Sequence, residues 1–196
     1  MSGVEWILLL AQLPSGPSGI RVMLWRRMKA AGAISLHNGV WALPSSPGNE
    51  RFMSEILNYV KSHDGNATIF IARALTPEIE NSLLGEFSKN IGQEYEKFIE
   101  ECKAFLAELE TETWLEKFTF AELEENEAEL QKQAGWLEKI RVRDFPGNVK
   151  ADEAVAALES CRRALRAFAR SVYAREGIDV PEGEIDYRDD TPARVE

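Results

Sequence analysis

The spacing of apolar positions changes once along this chain. Up to about residue 75 they come in short runs and alternations; from Thr76 onward they recur every three or four residues. In the first part, Glu5 to Leu13 (EWILLLAQL) is a continuous apolar run stopped by Pro14, Gly16 and Pro17, which predicts a buried strand. Ile20, Leu24, Arg27 and Ala31 then follow helical spacing with Met23 and Met28 beside them, leaving Arg21, Arg26 and Lys29 for exposed faces. Pro17 suits the first turn of that helix and Gly32 its end, while Arg27 stands close to the apolar stripe.

Asn38-Gly39 sits between two short alternating runs and predicts a two-residue type I′ hairpin, whose turn needs two positive φ angles. Pairing His37 with Val40 sets Leu36 opposite Trp41 and Ile34 opposite Leu43, so those four residues are expected on one core-facing side. Pro47 to Ser62 reads as a second helix, with Phe52, Met53, Ile56, Leu57, Tyr59 and Val60 on its apolar side and His63-Asp64-Gly65-Asn66 as its break. Ala67 to Leu75 (ATIFIARAL) reads as another strand from its Thr, Ile and Phe content. The order β-α-β-β-α-β predicts a ferredoxin-like arrangement of four antiparallel strands carrying both helices on one face. A winged helix competes, because a helix followed by a hairpin also describes a wing, but it requires further helices where Glu5–Leu13 reads as a strand.

Thr76-Pro77-Glu78 is a strong helix start: a capping hydroxyl, proline at the first helical position and an acid against the dipole. Ile79, Leu83, Phe87, Ile91, Tyr95, Phe98, Cys102, Phe105 and Leu109 make one long stripe, interrupted by Gly85 and Gly92, with Gly92 a place for a kink. Thr119-Phe120-Ala121-Glu122 is a capping box, with Phe118 and Leu123 as its staple, so a further helix runs to about Arg143. The turn Asp144-Phe145-Pro146-Gly147-Asn148 follows. The last helix spans approximately Ala151 to Arg175 with Val155, Leu158, Cys161, Leu165, Phe168 and Val172 on its stripe. The expected fold is α+β, a ferredoxin-like domain over 1–75 followed by a bundle of three long helices over 76–175. Residues 176–196, acidic and poor in apolar side chains, are expected to form a flexible tail.

Composition narrows the function classes. The 196 residues are 44% hydrophobic, enough for a real core. Net charge is −10, yet it alternates in blocks: +3 over 1–75, −12 over 76–138, +5 over 139–175 and −6 over 176–196. Acidic helices commonly do no more than solvate a face; the sharper reading gives the basic blocks an anionic partner. Two cysteines form neither a disulfide framework nor a metal cluster, which fits a reducing compartment, and Trp6 to Ala11 is too short to span a bilayer. A cytoplasmic protein that does not engage membranes is expected.

Catalytic chemistry is hard to assemble from these residues. The first strand ends in Leu13-Pro14 and the fourth in Ala74-Leu75, without the acids a metal-dependent nuclease would place there. His37 and His63 lack zinc-ligand spacing, and Gly16 and Gly19 form only GPSG, without a Walker lysine. Cys102 and Cys161 fall on apolar stripes, where a cysteine is mostly a small core residue, though an exposed and ionised thiol could reduce an oxidising ligand. No cofactor, metal site or catalytic residue is expected. What remains is arginine: Arg21, Arg26, Arg27 and Lys29 at one end, and Arg141, Arg143, Arg163, Arg166 and Arg170 at the other. They could hold DNA phosphate or a tetrahedral oxyanion, or pair with the glutamates of residues 94–129.

The segment WILLLAQLPSGPSGIRVMLWRRMKAAGAISLHNGVWALP, the acidic helices after it and the later KIRVRDFPG together resemble the N-terminal region of the chromate-resistance regulator family ChrB. The likeness runs from Glu5 to about Arg175 and rests on the strand-PSxPS-helix-GA-hairpin order together with Ile140-Arg141-Val142-Arg143-Asp144-Phe145. The helix and hairpin alone are also similar to the central domain of PaaX-type repressors. The resemblance implies a chromate-responsive transcriptional regulator with promoter DNA, chromate or another oxyanion, and a second copy of the chain as partners. Full-length family members continue into a second domain that residues 176–196 do not supply, so sensing that resides there is not expected here. A dimerisation or interaction module through the sheet or the long stripe is the alternative reading, and an oxyanion-reducing enzyme using Cys102 and Cys161 is a third.

Overall fold

The computed structural model describes residues 3–14, 18–179, 185 and 187. Nine elements follow one another: β1 (Glu5–Gln12), α1 (Ser18–Ala30), β2 (Ile34–His37), β3 (Val40–Pro44), α2 (Pro47–Lys61), β4 (Asn66–Arg73), α3 (Pro77–Trp114), α4 (Phe120–Arg143) and α5 (Ala151–Arg175). The four strands form one sheet in the order β2-β3-β1-β4 with every pairing antiparallel, which is the ferredoxin-like order. The chain divides into two compact units, Met1–Ile91 with Arg143–Gly147, and Gly92–Val142 with Asn148–Glu196.

In the first unit, β1 is central because its apolar run is buried between two neighbours. Leu9 pairs with Trp41 and Ile69, and Ile7 with Leu43 and Ile71. Ile7, Leu9, Trp41 and Leu43 are buried, as are Leu24 and Met28 of α1 and Met53, Ile56 and Val60 of α2, which packs on β1 and β4. On the other face Trp6 is buried and meets the edge of Phe87 from α3 at 6.5 Å. Ser46 caps α2 by accepting from the Asn49 backbone N–H, with Pro47 opening the helix. Pro17, expected to open α1, lies outside the described residues.

The hairpin departs from the expected geometry. Gly39 has φ +78°, but Asn38 is not among the residues with positive φ, so the turn is not type I′. His37 pairs with Val40 as expected, whereas Ser35, not Leu36, faces Trp41, and Ile34 faces Ala42. The register shift between Ser35 and His37 leaves Leu36 without a partner, and one extra residue reverses which side chains share a face. Ile34 is therefore buried on the side opposite Leu43, and Leu36 is only half-buried. Gly39 also approaches β1: its carbonyl accepts from the Ala11 N–H at 2.7 Å, and a Cβ there would fall 2.3 Å from the Ala11 oxygen.

The second unit is an up-down-up three-helix bundle. Its buried positions on α4 are 123, 126, 130, 133, 137 and 140, the three-four alternation of a heptad seam; α5 repeats it with 154, 158, 161, 165, 168 and 172 and also buries 162 and 169. Phe98 of α3 meets Trp136 of α4 at 5.5 Å, and Phe120 of α4 meets Tyr173 of α5 at 5.6 Å. α3 is hydrogen-bonded without interruption through Gly85 and Gly92. It ends at Glu116, whose φ of +54° lets Lys117 N–H reach the Glu112 carbonyl and Glu116 N–H the Thr113 carbonyl. Thr119 caps α4 by accepting from the Glu122 N–H at 3.3 Å, while its own N–H, which a capping box would give to the Glu122 side chain, donates to the Lys117 carbonyl at 3.0 Å. Two stripe residues, Ile79 and Val155, and Met23 beside the α1 stripe are exposed by 38% to 47%. Met23 stands one residue from buried Leu24, and Val155 one residue from buried Ala154.

The rest of the expected tail, residues 180–184, 186 and 188–196, lies outside the described residues. Tyr187 donates its hydroxyl to Glu127 of α4 at 2.6 Å, and burial with that nearby carboxylate pushes its phenol well above the usual range.

Candidate functional site

α1 is a basic helix without a single acid: SGIRVMLWRRMKA. Leu24 and Met28, four residues apart, fix its buried line, and the chain then stops in a Schellman arrangement. Ala33 N–H bonds the Met28 carbonyl and Gly32 N–H the Lys29 carbonyl, with Gly32 at φ +78°. Arg27 and Lys29 in the last turn complement the helix dipole. The two differ in what else they touch. Arg27 lies 3.5 Å from Glu55 and its guanidinium sits 5.6 Å above the Tyr59 ring, both on α2. This explains an arginine beside an apolar stripe: its stem packs while its head is held by an acid and an aromatic face.

Arg21, Arg26 and Lys29 are exposed, together with Trp25. Among the described residues Arg26 and Lys29 have no ion-pair partner. Arg143, within the same unit, lies against the end of α1, where a Cβ on Gly32 would be 3.5 Å from its Cδ. One unit thus gathers five of the nine expected cationic side chains, and Arg27 is already committed.

The remaining four lie in the second unit. Arg141 pairs with Glu138 one turn back, at 3.6 Å. Arg163, Arg166 and Arg170 share one face of α5; Arg163 donates to Ser160 Oγ at 2.8 Å, and Arg166 acts on the Tyr187 hydroxyl electrostatically. The ion pairs of Arg27 with Glu55 and of Arg141 with Glu138 use glutamates outside residues 94–129, whereas Arg175, not among the nine, reaches the Glu116 carbonyl at 2.7 Å and its carboxylate at 4.0 Å.

A cavity of about 320 Å³ opens in the first unit beside Glu5, Ser45, Arg73 and Phe145. Arg73 in its wall is engaged by Glu5 at 2.7 Å, so its charge is already balanced. His63 commits Nδ1 to the Tyr59 carbonyl at 2.8 Å, and His37 is exposed on the hairpin.

Buried polar residues of the bundle were not singled out by sequence reasoning. Glu112, Asn126, Gln133 and Arg162 are all buried, with 3% to 7% of their surface exposed. Asn126 donates to Glu112 Oε2 at 2.7 Å and to the Glu122 carbonyl at 2.9 Å, while Arg162 pairs with Glu159 at 2.5 Å. Burial raises the Glu112 carboxyl above its usual value, Asn126 pulls it down, and the neighbouring Glu122 raises it further. The signal available in the sequence was heptad spacing, which places Asn126 and Gln133 in the line of Leu123, Leu130 and Leu137.

The molecule is thus an α+β sheet unit with an acid-free basic helix, joined in sequence to a heptad-packed bundle carrying an arginine face. Residues 21–178 match the family model described as "Protein ChrB, N-terminal", four-fifths of the chain, and the chain belongs to that family. It is similar to "Protein ChrB" of Cupriavidus metallidurans, with 29% identity over 85 residues. That alignment covers 43% of this chain and 26% of the relative, so the chain spans about a quarter of the curated protein it matches. No solved structure matches.

Proposed function

We propose that this chain is the DNA-binding part of a chromate-responsive regulator, contacting duplex phosphates through Arg21, Arg26 and Lys29 and a tetrahedral oxyanion through Arg163, Arg166 and Arg170. The observation that carries the reading is α1, a solvent-facing basic helix with no acid along its length, in a chain of net charge −10. An acidic protein that keeps such a helix directs its attraction for polyanions to one face. Arginine at i, i+3 and i+7 places three guanidinium groups on one face of α5, and a guanidinium fork can hold an oxyanion bidentately. The resemblance to chromate-resistance regulators supplies the effector class.

The test is binding of labelled duplex from the promoter upstream of the chain's own gene, followed by fluorescence anisotropy across a salt series. Affinity should fall with salt, and the double substitution Arg26→Ala/Lys29→Ala should reduce the log–log slope by about 1.8, roughly 0.9 for each phosphate no longer neutralised. Absence of binding at low salt refutes the reading. Chromate added at fixed salt should change the affinity of the starting chain and not of Arg163→Ala/Arg170→Ala.

A second, non-catalytic reading is a homodimerisation module. It is favoured by β4, an edge strand with Phe70 and Ile71 each 52% exposed and no acid in its sequence NATIFIAR. An unpaired apolar edge of eight residues is a template for pairing with a second copy.

A further inference from the structure

The three heptad stripes of the bundle meet at two thiols that the binding role does not use. Cys102 of α3 and Cys161 of α5 are both fully buried. The Cys161 thiol donates to the Cys102 carbonyl oxygen at 3.5 Å. The Cys102 sulfur also lies 3.8 Å from Gln133 Oε1, so α4 joins the cluster. A cysteine acting only as a small core residue needs no polar partner. These two, 59 positions apart in sequence, lie on different helices with the Cys161 sulfur 3.5 Å from the Cys102 main-chain oxygen, and closure requires the two sulfurs to reach a bond of about 2.05 Å.

We propose that Cys102 and Cys161 are a redox couple that closes to an intramolecular disulfide when a hydroperoxide enters the bundle. The Cys102 side chain beside it holds the Cys161 thiol below its usual range, whereas Cys102, next to that side chain and desolvated, is pushed well above it. Cys161 is therefore the attacking sulfur. Its thiolate forms an S–O bond with the terminal oxygen of the hydroperoxide, the O–O bond breaks, and the alcohol leaves with the thiol proton. The Cys102 sulfur then attacks the Cys161 sulfenic sulfur; the S–O bond breaks and the hydroxyl leaves as water with the Cys102 proton. Two thiols and one hydroperoxide give one disulfide, one alcohol and one water, the two sulfurs together losing two electrons to the O–O bond.

The consequence reaches a helix that carries neither cysteine. A disulfide has no S–H, so the Cys102 carbonyl loses the Cys161 donor and Gln133 Oε1 loses the Cys102 sulfur as a donor. Gln133 is 3% exposed, and a buried amide oxygen deprived of a donor makes α4 adjust to find another.

The test uses the full chain, reduced and freed of reductant, exposed to hydrogen peroxide without denaturant. Remaining thiols are counted by alkylation in urea and mass spectrometry, while circular dichroism follows helix content. Both thiols should disappear together, a peptide map should join Cys102 to Cys161 within one chain, helix content should be retained, and dithiothreitol should restore both thiols. Two alkylatable thiols after oxidant overturn the proposal. So do a cross-link between chains and a loss of thiols that occurs only as helix content falls.

Discussion

Replacing Asn126 by leucine isolates the energetic role of the buried polar pair in the bundle. Asn126 is 4% exposed and donates at 2.7 Å to Glu112, itself 7% exposed. Removing the amide leaves a buried carboxylate without that charge-assisted hydrogen bond, worth about 1.5–3 kcal/mol. Leucine at a heptad core position returns part of this through apolar burial, so a net loss of about 1–2 kcal/mol is expected at pH 7. The sign of the pH dependence follows from the raised carboxyl of Glu112. The folded chain holds its proton where the unfolded chain, at the ordinary value of 4.5, has released it. Its contribution to stability is therefore complete below that value and is lost as pH rises through the folded value. Without Asn126, which lowers it, the folded value rises further, so the deficit of Asn126→Leu should shrink as the medium is acidified. Urea unfolding followed by helix signal at a series of pH values measures this. In the double variant Glu112→Met/Asn126→Leu no carboxylate remains, and stability should recover to that of the starting chain or exceed it. A single variant as stable as the starting chain at pH 7, or a deficit that does not depend on pH, refutes the reasoning.

Gly39→Ala should destabilise the sheet unit by more than about 1–3 kcal/mol, because the φ of +78° and the 2.3 Å approach of a Cβ to the Ala11 oxygen act together; urea unfolding checks it. Arg27→Ala should also destabilise that unit, since it removes packing on Tyr59 and the ion pair with Glu55, whereas Arg26→Ala should leave its midpoint unchanged and lower only DNA affinity. Ile71→Lys on the β4 edge should abolish any dimer seen by sedimentation without lowering the unfolding midpoint, and a dimer that persists removes β4 as its surface.

Much of the fold could be read from residue order. The change of apolar period near Thr76, the Asn38-Gly39 pair, Pro47 and the Thr119–Glu122 box placed the elements, because each acts over a few neighbouring residues. The failures share a cause. Whether Leu36 or Ser35 faces Trp41 depends on a bulge set by pairing across the sheet, and local alternation carries no information about an inserted residue.

The chain by itself determined which arginines could reach solvent, since helical spacing against Leu24 and Met28 sorts Arg21, Arg26 and Lys29 outward, and it determined the strand order implied by β-α-β-β-α-β. Only the tertiary structure decided that Arg27 is held by Glu55 and Tyr59, that Glu112 meets Asn126, and that Cys102 meets Cys161. Those pairings join separate elements, up to 59 positions apart, and they arise where burial of apolar stripes forces polar and sulfur atoms into company that no local pattern specifies.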